Sequence, residues 1–401
     1  MPDLYLKKVV EFRYARQTLH LRVSQDLFSS YDIDVGTQRL LRTLADLASV
    51  ALPRALDLGC GYGPLGLAMR KLDAARKVHL VDRDALAVEF ARQNAELNGL
   101  GDVSVYGSLG YDDVAGADFD LILANIPAKA GLPVIASLLR DAVHYLRPGG
   151  LVAVVVVTPL ESAVAEILAA PGMQVQFRQA WPGHTVFHYR FLPGAGAPAG
   201  PGPSALERGV YERQEMTVAV RGLVLPLHVA HGLPEFDTLS YEAVLLIEGL
   251  VDLRGKAAQH VVVLNPGQGH VPVALWQLLR PASIHLVDRD LLSLRYSRKN
   301  LLGNGCPEAQ MTLSHQVGLG LAGREPPDLV AGVLREEEGP AALAATVEQA
   351  LGQSAPGGMV VLAGGSTAVT RLVDVVRTKK LGAIAKRTRS RGKSLLVLRR
   401  R

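Results

Sequence analysis

The chain has 401 residues, of which 48% are hydrophobic and 20% charged. That is apolar surface for two ordinary cores, since single cores stop growing near about 250 to 300 residues, and the 40 Gly and 23 Pro punctuate apolar runs without a repeat, which excludes collagen-like and disordered classes. The net charge of +5 is local: Val375–Arg401 holds eleven Lys or Arg and no acid, leaving 32 basic against 38 acidic residues elsewhere, so a C-terminal tail that grips nucleic-acid phosphates is expected, with a solvated basic face as the alternative.

No segment reads as a membrane span or a secretion signal. The longest apolar run is Leu151–Val157, far below the roughly 20 residues a membrane helix needs, and Met1–Glu11 carries Asp3, Lys7, Lys8 and Glu11. A cytoplasmic protein with no membrane association is expected. Cys60 and Cys306 lack metal-ligand spacing, as do the eleven histidines, so no metal is expected.

In chain order, the alternating stretch Val9–Val23 predicts a hairpin ahead of the first domain. Strands follow at 54–58, 78–81, 103–106, 119–124, 151–157, 173–177 and 185–191, alternating with helices at 64–70, 85–97 and 133–146. Such alternation implies βαβ units, hence a doubly wound, mainly parallel seven-stranded sheet of the Rossmann-like α/β class. Within it, Asp57-Leu58-Gly59-Cys60-Gly61-Tyr62-Gly63 ends a strand in an acid and glycines and opens a helix at Pro64. Nineteen residues after Gly63, Asp82 ends the next strand, where a carboxylate can accept both hydroxyl hydrogens of an adenosine ribose. Gly61–Gly66 also satisfies the dinucleotide-binding fingerprint, so a dehydrogenase is the competing reading. Asp57 argues against it, being unneeded for a pyrophosphate.

Pro193–Ser204 (PGAGAPAGPGPS) reads as a linker, splitting the chain into a domain over 1–192 and another over 205–401. The halves are copies. HLVDRD at His79–Asp84 recurs unchanged at His285–Asp290, and the same offset carries Gly61 to Gly267, Gly63 to Gly269, Asn94 to Asn300 and Asn98-Gly99 to Asn304-Gly305. Met216–Val229 predicts a second hairpin, turning at Arg221-Gly222.

The Asp57–Gly63 loop with Asp82 resembles the cofactor motifs of class I S-adenosylmethionine-dependent methyltransferases. Together with Asp26–Thr37, Asn125-Ile126-Pro127 and Arg147–Gly150, it is similar to the ribosomal RNA guanine-N2 methyltransferases of the RsmC and RlmG type, which carry two methyltransferase-like halves, one of them degenerate. The resemblance implies S-adenosylmethionine binding by Asp57, Gly59, Cys60, Gly61, Gly63, Asp82, Arg83, Ser108 and Asn125. It gives Asn125 and Pro127 the catalytic role of holding an exocyclic amine, and makes ribosomal RNA or the small ribosomal subunit the partner. Two departures stand out. The intact half is N-terminal here and C-terminal in that family, and Ile126 and Ala128 replace the first Pro and the stacking aromatic of the usual Asn-Pro-Pro-aromatic motif.

In the second copy Val263 stands for Asp57, Asn265 for Gly59, and Val333-Leu334-Arg335 for Asn125-Ile126-Pro127, so a non-catalytic half is expected. Three functions follow: an RNA methyltransferase acting on guanine N2, a catalytically silent RNA-binding protein, or a small-molecule methyltransferase.

Overall fold

The computed structural model describes residues 2–29, 31–45, 52–194, 203–255, 258–321 and 323–401. Two compact units emerge, one over Leu6–Tyr211 and the other built on Glu212–Arg401.

The first unit opens with the expected hairpin, β1 (Leu6–Tyr14) and β2 (Gln17–Ser24), then α1 (Val35–Leu44). The alternating layers follow as β3 (Arg54–Leu58), α2 (Pro64–Leu72), β4 (Lys77–Asp82), α3 (Ala85–Leu97), β5 (Ser104–Gly107), β6 (Phe119–Asn125), α4 (Leu132–Arg140), β7 (Leu146–Val157), α5 (Glu161–Leu168), β8 (Met173–Trp181) and β9 (His184–Phe191). The sheet order is β5-β4-β3-β6-β7-β9-β8, parallel except where β9 pairs antiparallel with both β7 and β8. β6 is buried through Ala124 and β7 from Gly150 to Val156, as strands covered by helices on both faces must be. The order reverses between β3 and β6, so a crevice opens at the carboxyl ends of these strands, where ligands of such sheets bind.

The second unit repeats the plan: β10 (Glu212–Val220), β11 (Leu223–Ala230), α6 (Tyr241–Val251), β12 (His260–Leu264), α7 (His270–Leu279), β13 (Ser283–Asp288), α8 (Leu291–Gly303), β14 (Met311–His315), β15 (Leu329–Val333), α9 (Gly339–Gln353), β16 (Met359–Gly365), α10 (Ser366–Thr378), β17 (Ala383–Ser390) and β18 (Lys393–Arg399). Its sheet order, β14-β13-β12-β15-β16-β18-β17, is the same permutation.

The paired Asn positions explain themselves here as hairpin clamps. The Asn94 amide accepts from Arg22 N–H at 2.7 Å and donates to the Arg22 and Tyr62 carbonyls at 3.1 and 2.9 Å. Asn300 does the same to His228 and Gln268. A side-chain amide is the one group that can mimic a strand partner, donating and accepting at one residue, so each hairpin is fastened to the helix behind the glycine loop.

Three expectations need correction. The helix expected over 133–146 ends at Arg140, with a 3-10 turn over Asp141–His144 and β7 starting at Leu146. Residues 195–202 of the expected linker lie outside the described residues, while Ala205 and Leu206, expected in the second domain, donate backbone N–H groups to Asp112 of the first at 2.7 and 3.2 Å. The basic stretch Val375–Arg401 is no tail: it is the end of α10 followed by β17 and β18, because Leu395, Leu396 and Leu398 are buried in the core. Among the described residues no helix is long and apolar enough to cross a membrane.

Candidate active site

Asp57 sits one residue before the end of β3 and is fully buried. Its Oδ2 accepts the Gly66 N–H at 2.7 Å, while Oδ1 is buried with no partner among the described residues. Burial pushes this carboxyl up to about 7; the Gly66 hydrogen bond pulls it down, and the nearby Asp82 charge adds to the rise. A buried half-paired carboxylate costs stability unless something cationic completes it. The α-ammonium of an amino acid group is such a cation.

The loop after β3 is held from below. Gly59 and Cys60 both donate to the Val81 carbonyl at 2.9 Å, and Gly63 donates to the Cys60 carbonyl at 2.9 Å. Gly59 and Gly61 have φ of +74° and +55°, and a Cβ on either would meet nothing within 4 Å, so both face open space in a left-handed conformation. Gly66, the last glycine of the Gly61–Gly66 fingerprint, is required by packing: a Cβ there would lie 2.9 Å from Leu80 and 3.0 Å from the Asp57 carboxylate. The Cys60 thiol is buried and contacts the Gly61 carbonyl at 3.4 Å; burial pushes it well up, which leaves it protonated and unsuited to nucleophilic work.

Asp82 ends β4 and faces the same crevice, with Oδ2 accepting from Gly61 N–H and Oδ1 from Asp84 N–H, both at 2.9 Å. Arg83, next along, is half-buried, and Asp84 caps α3 through Leu86 N–H at 2.9 Å. Ser108 follows β5. Its N–H donates to the Asp82 carbonyl at 2.9 Å, but its hydroxyl is committed to the turn, donating to the Gly110 carbonyl at 2.7 Å and accepting from Asp113 N–H at 3.1 Å.

Asn125 ends β6. Its Nδ2 donates to Asp34 Oδ2 at 2.8 Å and lies 3.2 Å from Thr37 Oγ1. A carboxylate only accepts, so the amide orientation is set: nitrogen toward α1, Oδ1 left for another donor. Asp34 is itself the N-cap of α1, accepting Thr37 N–H at 3.0 Å. At Gly36 a Cβ would come within 2.8 Å of both Asp34 Oδ2 and the His184 ring. Asp34, Gly36 and Thr37 therefore position Asn125, a role visible in the sequence only as the Asp-x-Gly-Thr helix start. Ile126 N–H is used by the Val155 carbonyl at 2.9 Å, and Pro127 is exposed beyond it. Ser30, within the segment that carries the resemblance, lies outside the described residues.

In the second unit the same positions carry other groups. Val263 fills the place of Asp57 and is fully buried, and Asn265 keeps the left-handed backbone of Gly59 at φ +52°, which Asn tolerates better than most residues. Its amide donates to the Val333 carbonyl at 2.8 Å. Asp288, the counterpart of Asp82, is paired with Arg335 at 2.5 Å and bonded by Ser293 Oγ at 2.5 Å. Arg335 comes from the position of Pro127, and the residual cavity it lines with Leu264, Asn265 and Asp288 is about 10 Å³, about one water in size. The chain's own guanidinium has closed the crevice.

Outside these crevices, Glu212, Glu215 and His228 bring three ligand atoms within 4.8 Å. Lys299 already pairs with Glu212, which makes the group an ion-pair network.

Known proteins resemble this chain in sequence and in fold. Residues 18–180 match the methyltransferase small domain family. YbxB, an uncharacterized protein of Bacillus subtilis, is 30% identical over 145 residues, covering 36% of this chain and 71% of its own length. The ribosomal RNA small subunit methyltransferase C of Hahella chejuensis is 36% identical over 137 residues, 33% of this chain and 39% of that protein. The chain thus spans about two fifths of the length of that relative. A Thermus thermophilus 16S rRNA N2 G1207 methyltransferase (RsmC), solved with AdoMet and guanosine, shares the fold over 98% of both chains, with a TM-score of 0.66 and 19% identity. The chain belongs to the small-domain family of S-adenosylmethionine-dependent methyltransferases.

Proposed function

We propose that the N-terminal unit transfers a methyl group from S-adenosylmethionine to the exocyclic N2 amine of a guanine in ribosomal RNA. The observation that carries the reading is the convergence, at the carboxyl ends of three adjacent strands, of a half-paired buried Asp57, a left-handed glycine loop with open space above it, Asp82 and an amide-oriented Asn125. The names of the relatives, ribosomal RNA small subunit methyltransferases, and the guanosine bound by the Thermus thermophilus protein support the substrate class.

In this reading Asp57 receives the ammonium of the cofactor's amino acid end, Gly59, Cys60, Gly61 and Gly63 let it lie against the backbone, and Asp82 with Arg83 holds the ribose. Ser108 contributes the shape of the adenine wall through its backbone, its hydroxyl being used internally. The cofactor supplies an electrophilic methyl on a sulfonium. Asn125 Oδ1 accepts an N–H of the incoming amine and aims its lone pair, while Pro127, rigid and without an N–H, shapes the entrance. Positioning supplies most of the rate in such a displacement, which is why an amide locked by Asp34 and Thr37 matters more than an acid or base.

The test is transfer of labelled methyl to ribosomal RNA from cells lacking this protein, followed by nucleoside analysis. Label in N2-methylguanosine supports the reading; label confined to small molecules or absent altogether contradicts it.

A further inference from the structure

We infer that the second unit is an RNA-anchoring module whose phosphate site is the arginine cluster formed by Arg377 at the end of α10 with Arg387 and Arg389 on β17. This rests on RNA as the substrate class.

The eleven basic residues of 375–401 are not equivalent. Lys386 pairs with Asp252 at 2.9 Å, Lys379 with Glu348 at 2.5 Å and Lys393 with Glu242. These charges are spent within the protein. Arg387 and Arg389, by contrast, lie on the edge strand of the sheet and aim their guanidinium groups at one hydroxyl: Thr370 Oγ1 accepts from Arg387 at 2.5 Å and from Arg389 at 3.1 Å, and itself donates to the Ser366 carbonyl at 2.6 Å. No carboxylate pairs with Arg377, Arg387 or Arg389 among the described residues, although Asp374 lies near enough to be felt by Arg387.

Two like charges drawn onto a neutral oxygen repel each other, and the repulsion persists unless an anion joins them. The site shows that frustration: Arg387 Nε is shielded from water with no hydrogen-bond partner among the described residues. Partial burial and the charges of Arg389 and Arg377 pull the Arg387 guanidinium below its ordinary value. Planar guanidinium forks suit phosphate oxygens bidentately. The cluster sits on an edge strand where a polyanion can lie along it, and the second unit's own cofactor crevice is closed. What this half retains is a surface for holding RNA.

Two full-length triple variants test this against a fluorescently labelled ribosomal RNA hairpin, with anisotropy read across a salt series. Arg377→Gln/Arg387→Gln/Arg389→Gln removes three unpaired charges, and Lys379→Gln/Lys386→Gln/Lys393→Gln removes three paired ones from the same segment. The arginine triple should flatten the slope of log affinity against log salt by about two and weaken binding at least about tenfold at 0.1 M salt; the lysine triple should change the slope by less than one. Equal effects of the two triples, or an unchanged slope in the arginine triple, overturn the assignment, as does tighter wild-type binding to anionic lipid vesicles than to the hairpin. Circular dichroism and thermal melting of both variants, measured in parallel, confirm that the second unit is folded. A wild type that binds RNA through the cluster but transfers no methyl group to it refutes the proposed reaction and leaves this inference standing.

Discussion

Replacing Asp57 by Asn separates what the residue does for binding from what it costs in folding. The wild-type carboxyl is raised from 3.8 to about 7 by burial, so the empty native state holds a proton that the unfolded chain releases near pH 4. Native protein then binds more protons than unfolded protein between those values, and stability falls as pH rises through that window. Three pH units at about 1.4 kcal/mol each give a loss on the order of 4 kcal/mol between pH 4 and pH 7. For a unit of this size that corresponds to roughly 10 °C in melting temperature. The neutral amide retains an acceptor for Gly66 N–H but does not titrate, so this part of the pH dependence should vanish. Calorimetric melting of ligand-free wild type and Asp57→Asn at pH 5, 6, 7 and 8 measures the difference, and titration with S-adenosylmethionine measures binding. The variant should gain on the wild type with rising pH while losing cofactor affinity by about tenfold or more, the worth of a charge-assisted bond. In the wild type, cofactor affinity should rise with pH up to about 7. Parallel melting curves at all four pH values would refute the buried-charge account, and unchanged affinity would refute the role in binding.

Other substitutions probe the remaining parts. Asp82→Ala should weaken cofactor binding by roughly 1.5 to 3 kcal/mol in calorimetry, since a charged acceptor is lost. Asp34→Ala frees the Asn125 amide and should lower kcat about a hundredfold with cofactor affinity nearly unchanged, whereas Asp34→Asn, which keeps an acceptor and a good helix cap, should restore most of it. Calorimetric stoichiometry should be one cofactor per chain. Arg335→Ala should destabilise the second unit by about 3 to 5 kcal/mol, because Asp288 is left buried and unpaired, without creating a second binding site; a stoichiometry near two in wild type or variant would contradict the closed crevice.

Much of the plan was legible because it rests on periodicity and on residues with few alternatives. Strand 54–58 and helix 85–97 fall where the alternation of apolar runs places them, and the HLVDRD repeat with its flanking Gly and Asn pairs announces the duplication. What escaped depended on contacts between distant segments. Nothing in the spacing of Asp34 and Asn125, 91 residues apart, says that one orients the other. Arg335 reads as a mere loss of Pro until Asp288 is seen beneath it. The eleven basic residues of 375–401 look alike in sequence, and only the fold separates Lys379, Lys386 and Lys393, paired with acids, from Arg387 and Arg389, gathered at Thr370. The same segment reads as a tail because charge dominates its composition, although Leu395, Leu396 and Leu398 of β18 are buried in the core.

The most direct test of the central claim is the position of a transferred methyl group. Wild-type protein, labelled S-adenosylmethionine and ribosomal RNA from cells lacking the protein should yield labelled N2-methylguanosine at one site, and Asn125→Ala should abolish it. Absence of label in RNA with the wild type, or equal labelling by the Asn125→Ala variant, would contradict the account.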